Sequence, residues 1–516
     1  MCIKLQELYP HQKAMSEPFS RRENALLLAP CGSGKTLAII YNWLKERPTR
    51  HLIYVLPTTT LLKSIKQDIV ELIEGKEGKP DAVKNLGYKI VKLEDTKFTD
   101  PKLISIATDY GEERESKLYA HDIIITTLDS YIARLYRSSL TPKRYRDLPI
   151  ARIFNSTTVF DEAHMYDNYT HTLARYTLKL LREGGAHHII MSATLSEDMI
   201  RFLELTDYTK IRVKDEEWMG FTGKKQIIDV IDTHDFPSKV DELIKEHDIS
   251  NALIVCNTVN KAQSLYEKLN NGSRSLLLLH GRFKPEDREK NESLIREHLK
   301  NKNSFIIATQ VVEAGIDISA PCLITEAATG DSMVQRIGRC ARRRGEEGKI
   351  FILYSSNDKP LPYNRPEVES VIKIFKDHLG QYDLSLEKEL VSSVIPPSLT
   401  GNVEAKARGI ILSAFTSLSA FGDAWINVPT RNATPIYLYF GKNINKDQNV
   451  MDNCVRADLR FLYGLDGDLS KFKYYERSYN EDGKKFDFKE RKTPSAWCIA
   501  VLKGVSYDPV LGVIKS

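Results

Sequence analysis

Short, continuous apolar runs alternate with amphipathic stretches through about the first 355 residues of the chain. Such runs, when helical patterns separate them, are typical of parallel strands that helices cover on both faces. They fall into two series, at residues 25–30, 51–57, 122–127, 157–163 and 187–194, and then at residues 226–232, 252–257, 275–281, 304–312, 322–327 and 349–355. The pattern predicts an α/β fold with two parallel-sheet domains in tandem.

The domain boundaries follow from these two series and from a change of texture near residue 356. We expect a first domain at residues 1–215 and a second at residues 216–356, with the more polar stretch 202–224 as the connection. A proline-rich loop and a helical pattern then predict a linker at residues 357–399. Residues 400–516 are rich in Tyr, Phe, Gly and Asn and predict a small accessory domain.

Composition excludes some classes of protein. The seven cysteines show neither a disulfide pattern nor metal-ligand spacing, which favours a reducing compartment. The first residues lack the apolar segment of a secretory signal, and no run approaches the 18 apolar residues of a membrane helix. We therefore expect a cytoplasmic protein with no membrane partner. The net charge of +5 neither requires nor excludes nucleic acid.

The sharpest motif lies between the first predicted strand and a helical pattern. It consists of Ala29, Pro30, Cys31, Gly32, Ser33, Gly34, Lys35 and Thr36. A glycine-rich loop in this position binds phosphates through backbone N–H groups and the N-terminus of the helix. In such a loop the lysine reaches the outer phosphates and the hydroxyl binds Mg²⁺. The motif predicts ATP and Mg²⁺ as cofactors, with Lys35 catalytic and Thr36 a metal ligand.

A second acidic motif, Asp161-Glu162-Ala163-His164, ends the predicted strand at 157–163. Ligands of open α/β sheets bind at the carboxyl ends of the strands. We expect Asp161 to hold Mg²⁺ and Glu162 to orient the attacking water. The alternative is an acidic strand end that is only exposed to solvent, and the P-loop upstream argues against it.

These two motifs and several others follow one another in an order that resembles the superfamily 2 helicases over about residues 5–355. The resemblance implies two RecA-like domains. It implies that Gln12 reads adenine and that Ser192, Ala193 and Thr194 couple hydrolysis to movement. The segments expected to contact the nucleic-acid backbone contain Pro57, Thr58, Thr126, Thr127, His280, Gly281, Arg282, Thr309 and Gln310. Base-specific contacts are not predicted, because phosphate contacts position a strand without reading its sequence.

The second domain carries the remaining helicase-like motifs. The segment Glu313-Ala314-Gly315-Ile316-Asp317 resembles one that contacts both nucleotide and strand, with Gly315 and Asp317 on the nucleotide side. The segment 335–342 matches the pattern QRxGRxxR, which implies catalytic roles for Gln335, Arg339 and Arg342. Arginine fingers contribute about 10³ to 10⁵ in rate. Because they come from the second domain, we expect hydrolysis to require closure of the cleft. The neighbouring Arg343 and Arg344 fit a solvated basic surface.

Within that superfamily the chain is most similar to the helicase subunit of type I CRISPR systems. The similarity rests on LYPHQKAM (8–15), VFDEAHMYD (159–167) and ATQVVEAGIDIS (308–319). Many such proteins begin with a metal-dependent HD nuclease domain, which we do not expect here. The His-Asp pair at 121–122 opens a predicted strand, and those at 234–235 and 247–248 lie on polar connections without an upstream histidine cluster. The resemblance therefore implies a crRNA-guided effector complex, single-stranded DNA and a separate HD nuclease subunit as partners.

The leading prediction is an ATP-dependent translocase that unwinds target DNA in CRISPR interference. One alternative is a general DEAH-type RNA or DNA helicase, and another is an ATP-binding scaffold that only assembles partners. The stretch 471–492 interleaves aromatic and basic residues. It fits a stacking platform for single-stranded nucleic acid, but a twisted hairpin that turns at residues 481–483 with packed aromatics is favoured.

Overall fold

The chain divides into two compact units. The first contains Met1–Gly223, Arg343–Gly345 and Asp383–Thr430, and the second contains Lys224–Arg342, Glu346–Tyr382 and Arg431–Ser516. The computed structural model describes residues 8–30, 32–76, 79–95, 100–110, 113–116, 118–136, 147–163, 168–214, 223–313, 316–396, 404–405, 407–409, 435–441, 443–444, 449–466, 469, 472–480, 485–495, 498–502 and 505–515.

The first unit is built on an eight-stranded sheet. In chain order the strands of this unit are β1 Ala25–Leu28, β2 His51–Leu56, β3 Lys89–Ile90, β4 Leu103–Ile104, β5 Ile106–Tyr110, β6 Glu113–Arg114, β7 Ile123–Thr127, β8 Ser156–Phe160, β9 His187–Ser192 and β10 Thr209–Arg212. The sheet order is β10-β1-β9-β8-β2-β7-β5-β6, and β3 pairs separately with β4. Every pairing in the large sheet is parallel except that of β5 with β6.

Helices connect these strands. They are α1 Pro10–Ala14, α2 Ser16–Arg21, α3 Lys35–Glu46, α4 Thr59–Glu74, α5 Asp81–Lys84, α6 Leu128–Leu135, α7 Asp147–Phe154, α8 Asn168–Glu183 and α9 Glu197–Phe202. All residues of the central strands β2, β7, β8 and β9 are buried. One core cluster packs Ile53, Ile124 and Ile190 of the sheet against Ile132 of α6 and Leu173 of α8. Continuous apolar runs form these strands because both sheet faces are covered.

The second unit contains a seven-stranded sheet. Its strands are β11 Lys224–Asp232, β12 Asn251–Val255, β13 Ser275–Leu279, β14 Ser304–Ala308, β15 Cys322–Glu326, β16 Glu347–Tyr354 and β17 Gly380–Gln381. The order is β13-β14-β12-β15-β16-β11-β17, and only β17 is antiparallel to its neighbour. The helices are α10 Phe236–Glu246, α11 Val259–Leu269, α12 Pro285–His298, α13 Gly330–Ile337 and α14 Arg365–Asp377. Another helix, α15 Leu384–Ser392, belongs to the first unit.

The C-terminal part of the second unit forms its own sheet. Its elements are β18 Pro435–Tyr439, β19 Cys454–Asp458, α16 Leu459–Asp466, β20 Lys473–Asn480, β21 Lys485–Arg491 and β22 Ile499–Val501, followed by the hairpin strands β23 Val505–Asp508 and β24 Gly512–Lys515. The sheet order is β19-β18-β22-β20-β21. The strands β20 and β21 pair antiparallel, which confirms the predicted hairpin, although residues 481–484 lie outside the described part. Tyr474 of β20 is fully buried in a core cluster with Ile436 and Val455.

The tandem parallel-sheet prediction is confirmed, and each predicted apolar run contains a strand. Three strands of the first sheet, β5, β6 and β10, were missed. Strand β5 carries the buried Asp109, which interrupts the apolar pattern. Strand β10 falls inside the stretch 202–224, so the prediction that all of it connects the domains is wrong. This strand is short, lies at the sheet edge and has exposed Lys210 and Arg212, as edge strands often do. None of the described helices is long and apolar enough to cross a membrane.

Candidate functional site

The glycine-rich loop joins β1 to α3 at the carboxyl edge of the first sheet. Helix α3 begins at Lys35, and Gly34 before it has a φ of 79°, a left-handed conformation that glycine adopts without strain. A Cβ at Gly34 would collide with the Gln12 amide nitrogen. Inside the loop, Ser33 Oγ donates to the Pro30 carbonyl at 2.8 Å. The predicted P-loop geometry is therefore present on both sides of Cys31, which lies outside the described residues.

Helix α1 is hydrogen-bonded to this loop through Gln12. Gln12 Nε2 donates to the carbonyl oxygens of Ser33 at 3.1 Å and Gly34 at 3.2 Å. Its Oε1 accepts the Tyr9 N–H at 3.0 Å, and Asn42 Nδ2 of α3 donates to its backbone oxygen at 2.8 Å. Gln12 is buried, and its two hydrogen bonds to carbonyl oxygens fix it against the P-loop. Its predicted contact with adenine stays a prediction.

Lys35 points towards the acidic motif. Its Nζ donates to the Ala29 carbonyl at 3.3 Å and lies 3.6 Å from Glu162 Oε1. Both side chains are mostly buried, with 9% of Lys35 and 17% of Glu162 exposed. An ammonium group in this position can exchange the carboxylate for phosphate oxygens, because both are anionic acceptors.

Asp161 follows β8 and is held by two donors. Tyr54 Oη donates to Asp161 Oδ2 at 2.9 Å, and the Glu162 N–H donates to Asp161 Oδ1 at 2.9 Å. The same Tyr54 oxygen lies 3.5 Å from Thr36 Oγ1. Burial, reinforced by the Glu162 charge, raises the pKa of Asp161 to about 7. Burial also raises the pKa of Tyr54, so its hydroxyl stays a donor.

This arrangement fits a magnesium ion. The Thr36 hydroxyl and the Asp161 carboxylate both approach one phenol oxygen, and hard oxygens of this kind are the ligands that Mg²⁺ takes. The two predicted metal ligands are thus brought together by the fold. Sequence reasoning missed Tyr54, because a tyrosine inside the run HLIYVLP looks like ordinary core.

The coupling segment lies beside the loop. The Ala29 N–H donates to the Ser192 carbonyl at 3.2 Å, and Ser192 Oγ accepts the Thr194 N–H at 3.0 Å. Ser192 and Thr194 are buried, and Ala193 between them is partly exposed. The segment therefore contacts the first residue of the P-loop, while its coupling role stays a prediction.

The segments predicted to contact nucleic acid in the first unit end neighbouring strands. Pro57 and Thr58 follow β2, and Thr58 precedes α4. Thr126 is fully buried, and its hydroxyl donates to the Asp109 carbonyl at 2.7 Å. Thr127 Oγ1 caps α6 by accepting a backbone N–H. The two hydroxyls of β7 thus have protein partners, and a nucleic-acid role for these four residues stays a prediction.

The strand β5 brings in a buried ion pair that the sequence did not reveal. Arg134 Nε donates to Asp109 Oδ2 at 3.0 Å, and Arg134 Nη2 donates to Asp109 Oδ1 at 2.8 Å. The bidentate geometry satisfies both buried groups, which is the condition under which a buried pair is tolerated. It fixes β5 against α6 next to Thr126.

In the second unit the helix α13 carries a fully buried arginine. Arg336 Nε donates to Glu313 Oε1 at 2.8 Å. Its Nη1 donates to Thr325 Oγ1 at 3.1 Å and to the Glu326 carbonyl at 2.8 Å, and its Nη2 donates to Tyr363 Oη at 3.0 Å. Burial raises the pKa of Glu313. Arg336 therefore ties α13 to the segment that begins at Glu313 and to β15.

The two predicted arginine fingers have different environments. Arg339 is 95% buried. Its Nη1 donates to the Ile316 carbonyl at 2.9 Å, and its Nη2 donates to the Glu313 carbonyl at 2.6 Å. Arg342 Nε lies 3.7 Å from Asp317 Oδ1, and its side chain is 24% exposed. The structure thus brings Arg339, Arg342 and Asp317 around one segment of the second unit.

Three other predicted residues of this unit are buried or bonded within the protein. Gln335 is buried on α13, and Thr309 is buried after β14. Gln310 Nε2 donates to the Asn257 carbonyl at 2.8 Å, which links it to the end of β12. Gly315 lies outside the described residues.

The hairpin β23–β24 packs on the segment 280–282. His280 Nε2 lies 3.0 Å from the Leu511 carbonyl, and the Val513 N–H donates to the Arg282 carbonyl at 3.0 Å. The C-terminal elements therefore touch a segment predicted to contact nucleic acid, which the sequence could not reveal.

The Arg282 side chain is itself half-buried. Its Nη1 donates to Asn260 Oδ1 at 3.2 Å, and its guanidinium lies 4.7 Å from the ring centroid of Phe461 on α16. This cation–π geometry holds the side chain between the second sheet domain and the C-terminal elements.

Two family comparisons match the chain, one over the site residues of each unit. The DEAD/DEAH box helicase family matches residues 9–202, which hold the P-loop and the acidic motif. The C-terminal family of the CRISPR-associated nuclease/helicase Cas3 matches residues 248–345, which hold Arg336, Arg339 and Arg342. Over these residues the chain is similar to DEAD/DEAH-box helicases and to Cas3. The predicted resemblance is confirmed.

Individual curated proteins agree with this similarity. The CRISPR-associated helicase Cas3 of Thermoproteus tenax is 26% identical over 388 residues, which cover 70% of the chain and 61% of that protein. The chain spans about half the length of the curated relatives it matches.

Solved structures confirm the tandem helicase fold. The crystal structure of T. fusca Cas3 with ADP superposes with a TM-score of 0.64 at 15% identity, over 100% of this chain and 72% of that chain. A chain of a CRISPR RNA-guided surveillance complex in a pre-nicking state gives a TM-score of 0.57 at 15% identity, over 98% of this chain and 70% of that chain.

Proposed function

We propose that this helicase hydrolyses ATP and uses the energy to move along single-stranded DNA and unwind its target. The observation that carries the proposal is the convergence of Lys35, Glu162, Asp161 and Thr36 at the carboxyl edge of the first sheet. A lysine, a hydroxyl and two carboxylates around an anion-binding loop are the groups that phosphoryl transfer needs.

Each side chain has a distinct role in the proposal. Lys35 binds the outer phosphates in place of Glu162, with which it pairs at 3.6 Å. Glu162 is then released to orient the attacking water, while Thr36 and Asp161 hold Mg²⁺. When bound, that ion neutralises the charge that develops on the transferred phosphoryl group.

We propose that Gln335, Arg339 and Arg342 complete the reaction from the second unit. Arg342 is the group best placed to be recruited, because its ion pair with Asp317 is long and its side chain is partly exposed. Arg339 is bonded to two backbone carbonyls, so in the proposal it keeps the segment 313–317 in shape as well as facing the phosphate. Gly315 and Asp317 would contact the nucleotide, and Gln12 would contact its adenine.

The strand-end segments are proposed to hold the DNA backbone. Pro57, Thr58, Thr126 and Thr127 in the first unit, and Gly281, Arg282, Thr309 and Gln310 in the second, offer backbone amides and small polar groups. Such groups bind phosphates without reading bases. Arg282 adds positive charge, and it donates to the uncharged amide oxygen of Asn260, which a phosphate can replace as the acceptor.

The relatives' names support a role in CRISPR interference. We propose that a crRNA-guided effector complex recruits the helicase, and that a separate HD-type nuclease subunit cuts the strand it exposes. The matched family is described as a nuclease/helicase, and the motifs found in this chain account for the helicase part.

The test is ATP turnover by the full chain with no nucleic acid, with single-stranded DNA and with single-stranded RNA. We expect DNA to stimulate turnover and Lys35→Ala to abolish it. The matched control is Lys45→Ala, which removes an exposed lysine from the same helix and should keep full turnover.

Three results would contradict the proposal. Turnover that responds to no nucleic acid would exclude a translocase. A strong preference for RNA would favour a general RNA helicase. Single-turnover hydrolysis equal to that of Glu162→Gln would indicate a scaffold that binds ATP without using it.

A further inference from the structure

A tyrosine that belongs to neither ATP-site motif sits between the two side chains expected to bind Mg²⁺. We propose that Tyr54 is a positioning residue for the metal site, which orients the Asp161 carboxylate towards the ion next to Thr36. The inference rests on the proposed function, because it concerns the metal that accompanies the nucleotide.

The position of Tyr54 follows from the sheet. It lies on β2, whose neighbour β8 ends just before Asp161, and its register partner on β8 is Val159. The tyrosine is fully buried, so its phenol oxygen is held by packing. It reaches past the end of β8 to Asp161 Oδ2 at 2.9 Å.

The carboxylate has little freedom to rotate. Oδ1 accepts the Glu162 N–H and Oδ2 accepts the Tyr54 hydroxyl, both at 2.9 Å. Removal of either donor would let the carboxylate turn about its last bond. Partners of this kind fix a metal ligand in its binding orientation, and their loss costs about 10- to 100-fold in metal affinity.

The Thr36 contact distinguishes this tyrosine from a simple core residue. Thr36 Oγ1 lies 3.5 Å from the phenol oxygen, so the Tyr54 hydroxyl lies beside both expected ligands, Thr36 and Asp161. The two ligands belong to different elements, α3 and the end of β8. The phenol oxygen of Tyr54, which is held in place by packing, lies between Thr36 and Asp161 and sets the distance between them.

The test is Mg²⁺ binding by the full chain, with a fluorescent ADP analogue as the probe. Tyr54→Phe removes one oxygen atom and keeps the ring. We expect the dissociation constant of the nucleotide in EDTA to stay within twofold of the parent. The Mg²⁺ concentration that gives half of the metal-dependent fluorescence change should rise by about 10- to 100-fold.

The matched control is Tyr131→Phe. Tyr131 is also fully buried in the first unit, but its hydroxyl faces Thr158 Oγ1 at 3.4 Å and no expected ligand. This variant should keep the parent's Mg²⁺ dependence. Mn²⁺ binding followed by electron paramagnetic resonance provides a second readout that does not depend on hydrolysis.

Two results would overturn the inference. Equal Mg²⁺ dependence in Tyr54→Phe and Tyr131→Phe would show that the hydroxyl is only structural. Tighter Mg²⁺ binding in Tyr54→Phe would show that the phenol competes with the ion. In both cases the parent would still bind nucleotide with Mg²⁺ and hydrolyse it, so the proposed function would stand. A parent without Mg²⁺-dependent nucleotide binding would instead contradict both.

Discussion

At the scale of single residues, burial rather than sequence motif decides the behaviour of several ionisable groups. Burial raises the pKa of Asp161 to about 7, and it lowers the pKa of both His187 and His188 to about 4. These histidines lie on β9, at the centre of the first sheet. Because they are neutral in the fold and charged in the unfolded chain at mildly acidic pH, they connect the stability of the first unit to pH.

The histidines give a prediction for acid stability. A group whose pKa falls from 6.5 to about 4 on folding contributes stability that is complete above pH 6.5 and lost as pH falls towards 4. His188 alone accounts for up to about 3 kcal/mol over that window. We expect His188→Asn to flatten the dependence of the free energy of unfolding on pH, as measured by denaturant titration between pH 4 and 7.

The control is Tyr208→Phe, which removes a hydrogen-bond partner of His188 but keeps the imidazole. It should lower stability while preserving the slope, since burial is the main cause of the lowered pKa. If His188→Asn has the same slope as the parent, His188 is not the group that links folding to pH.

At the scale of elements, the hairpin β23–β24 is joined to the second sheet domain by side chains as well as backbone. Gln263 Nε2 of α11 donates to the carbonyls of Leu511 at 2.7 Å and Val513 at 3.0 Å. Tyr507 Oη accepts the Lys284 N–H at 3.0 Å and donates to Asp287 of α12. The hairpin therefore braces both ends of the loop that carries the segment 280–282.

Gly512 provides a test of this bracing. Its φ is 75°, and an added Cβ would collide with the Arg282 carbonyl and the His280 ring. We expect Gly512→Ala to detach the hairpin and to speed amide hydrogen exchange in residues 505–515 and 280–284. DNA-stimulated turnover should fall with it if the segment 280–282 contacts DNA.

Gly272→Ala is the matched control. Gly272 has nearly the same backbone conformation, with a φ of 79°, but no atom lies within 4 Å of an added Cβ. Gly272→Ala should lower the free energy of unfolding only by the strain of a left-handed alanine, about 1–2 kcal/mol, and should leave amide exchange in the hairpin unchanged. Equal exchange in the hairpin of both variants would show that the contact does not hold it.

At the scale of the whole molecule, the groups that we propose as catalytic are divided between two compact units. Lys35, Asp161 and Glu162 belong to the first, and Arg339 and Arg342 belong to the second. In the proposed function, each unit alone binds its own part of the reacting system, and neither completes it. The rate of hydrolysis would then depend on both units acting together, and neither unit alone would determine it.

Arg342 tests this division. We expect Arg342→Lys to lower DNA-stimulated turnover by about 10³-fold or more, because lysine lacks the planar fork that arginine offers to a phosphoryl group. Binding of a fluorescent ADP analogue should change little, since in the proposed function the first unit holds the phosphates. The readouts are single-turnover hydrolysis and nucleotide affinity.

The control is Arg344→Lys, which changes an exposed arginine two residues away. It should keep the parent's turnover. A loss of nucleotide affinity in Arg342→Lys as large as the loss of turnover would contradict a role confined to the transition state.

Much of this architecture could be predicted because it is local in sequence. Apolar runs gave the strands, and the spacing of Gly34, Lys35 and Thr36 gave the phosphate loop. What was missed depends on distant pairs. Tyr54 meets Asp161 across 107 positions, and Arg336 meets Glu313 across 23. Inside β2 and α13 these residues look like ordinary members of their elements, so only the folded chain shows what they touch.

The hydrogen bonds that Gln12 donates to the carbonyls of Ser33 and Gly34 have a practical consequence. We expect phosphate binding to depend on the short helix α1, which ends well before the glycine-rich loop begins, because Gln12 on that helix is hydrogen-bonded to the loop and leaves no room for a Cβ at Gly34. A shortened version trimmed to the first core strand would keep every residue of the loop. We expect it to bind nucleotide poorly all the same, so a minimal nucleotide-binding fragment has to start before Tyr9.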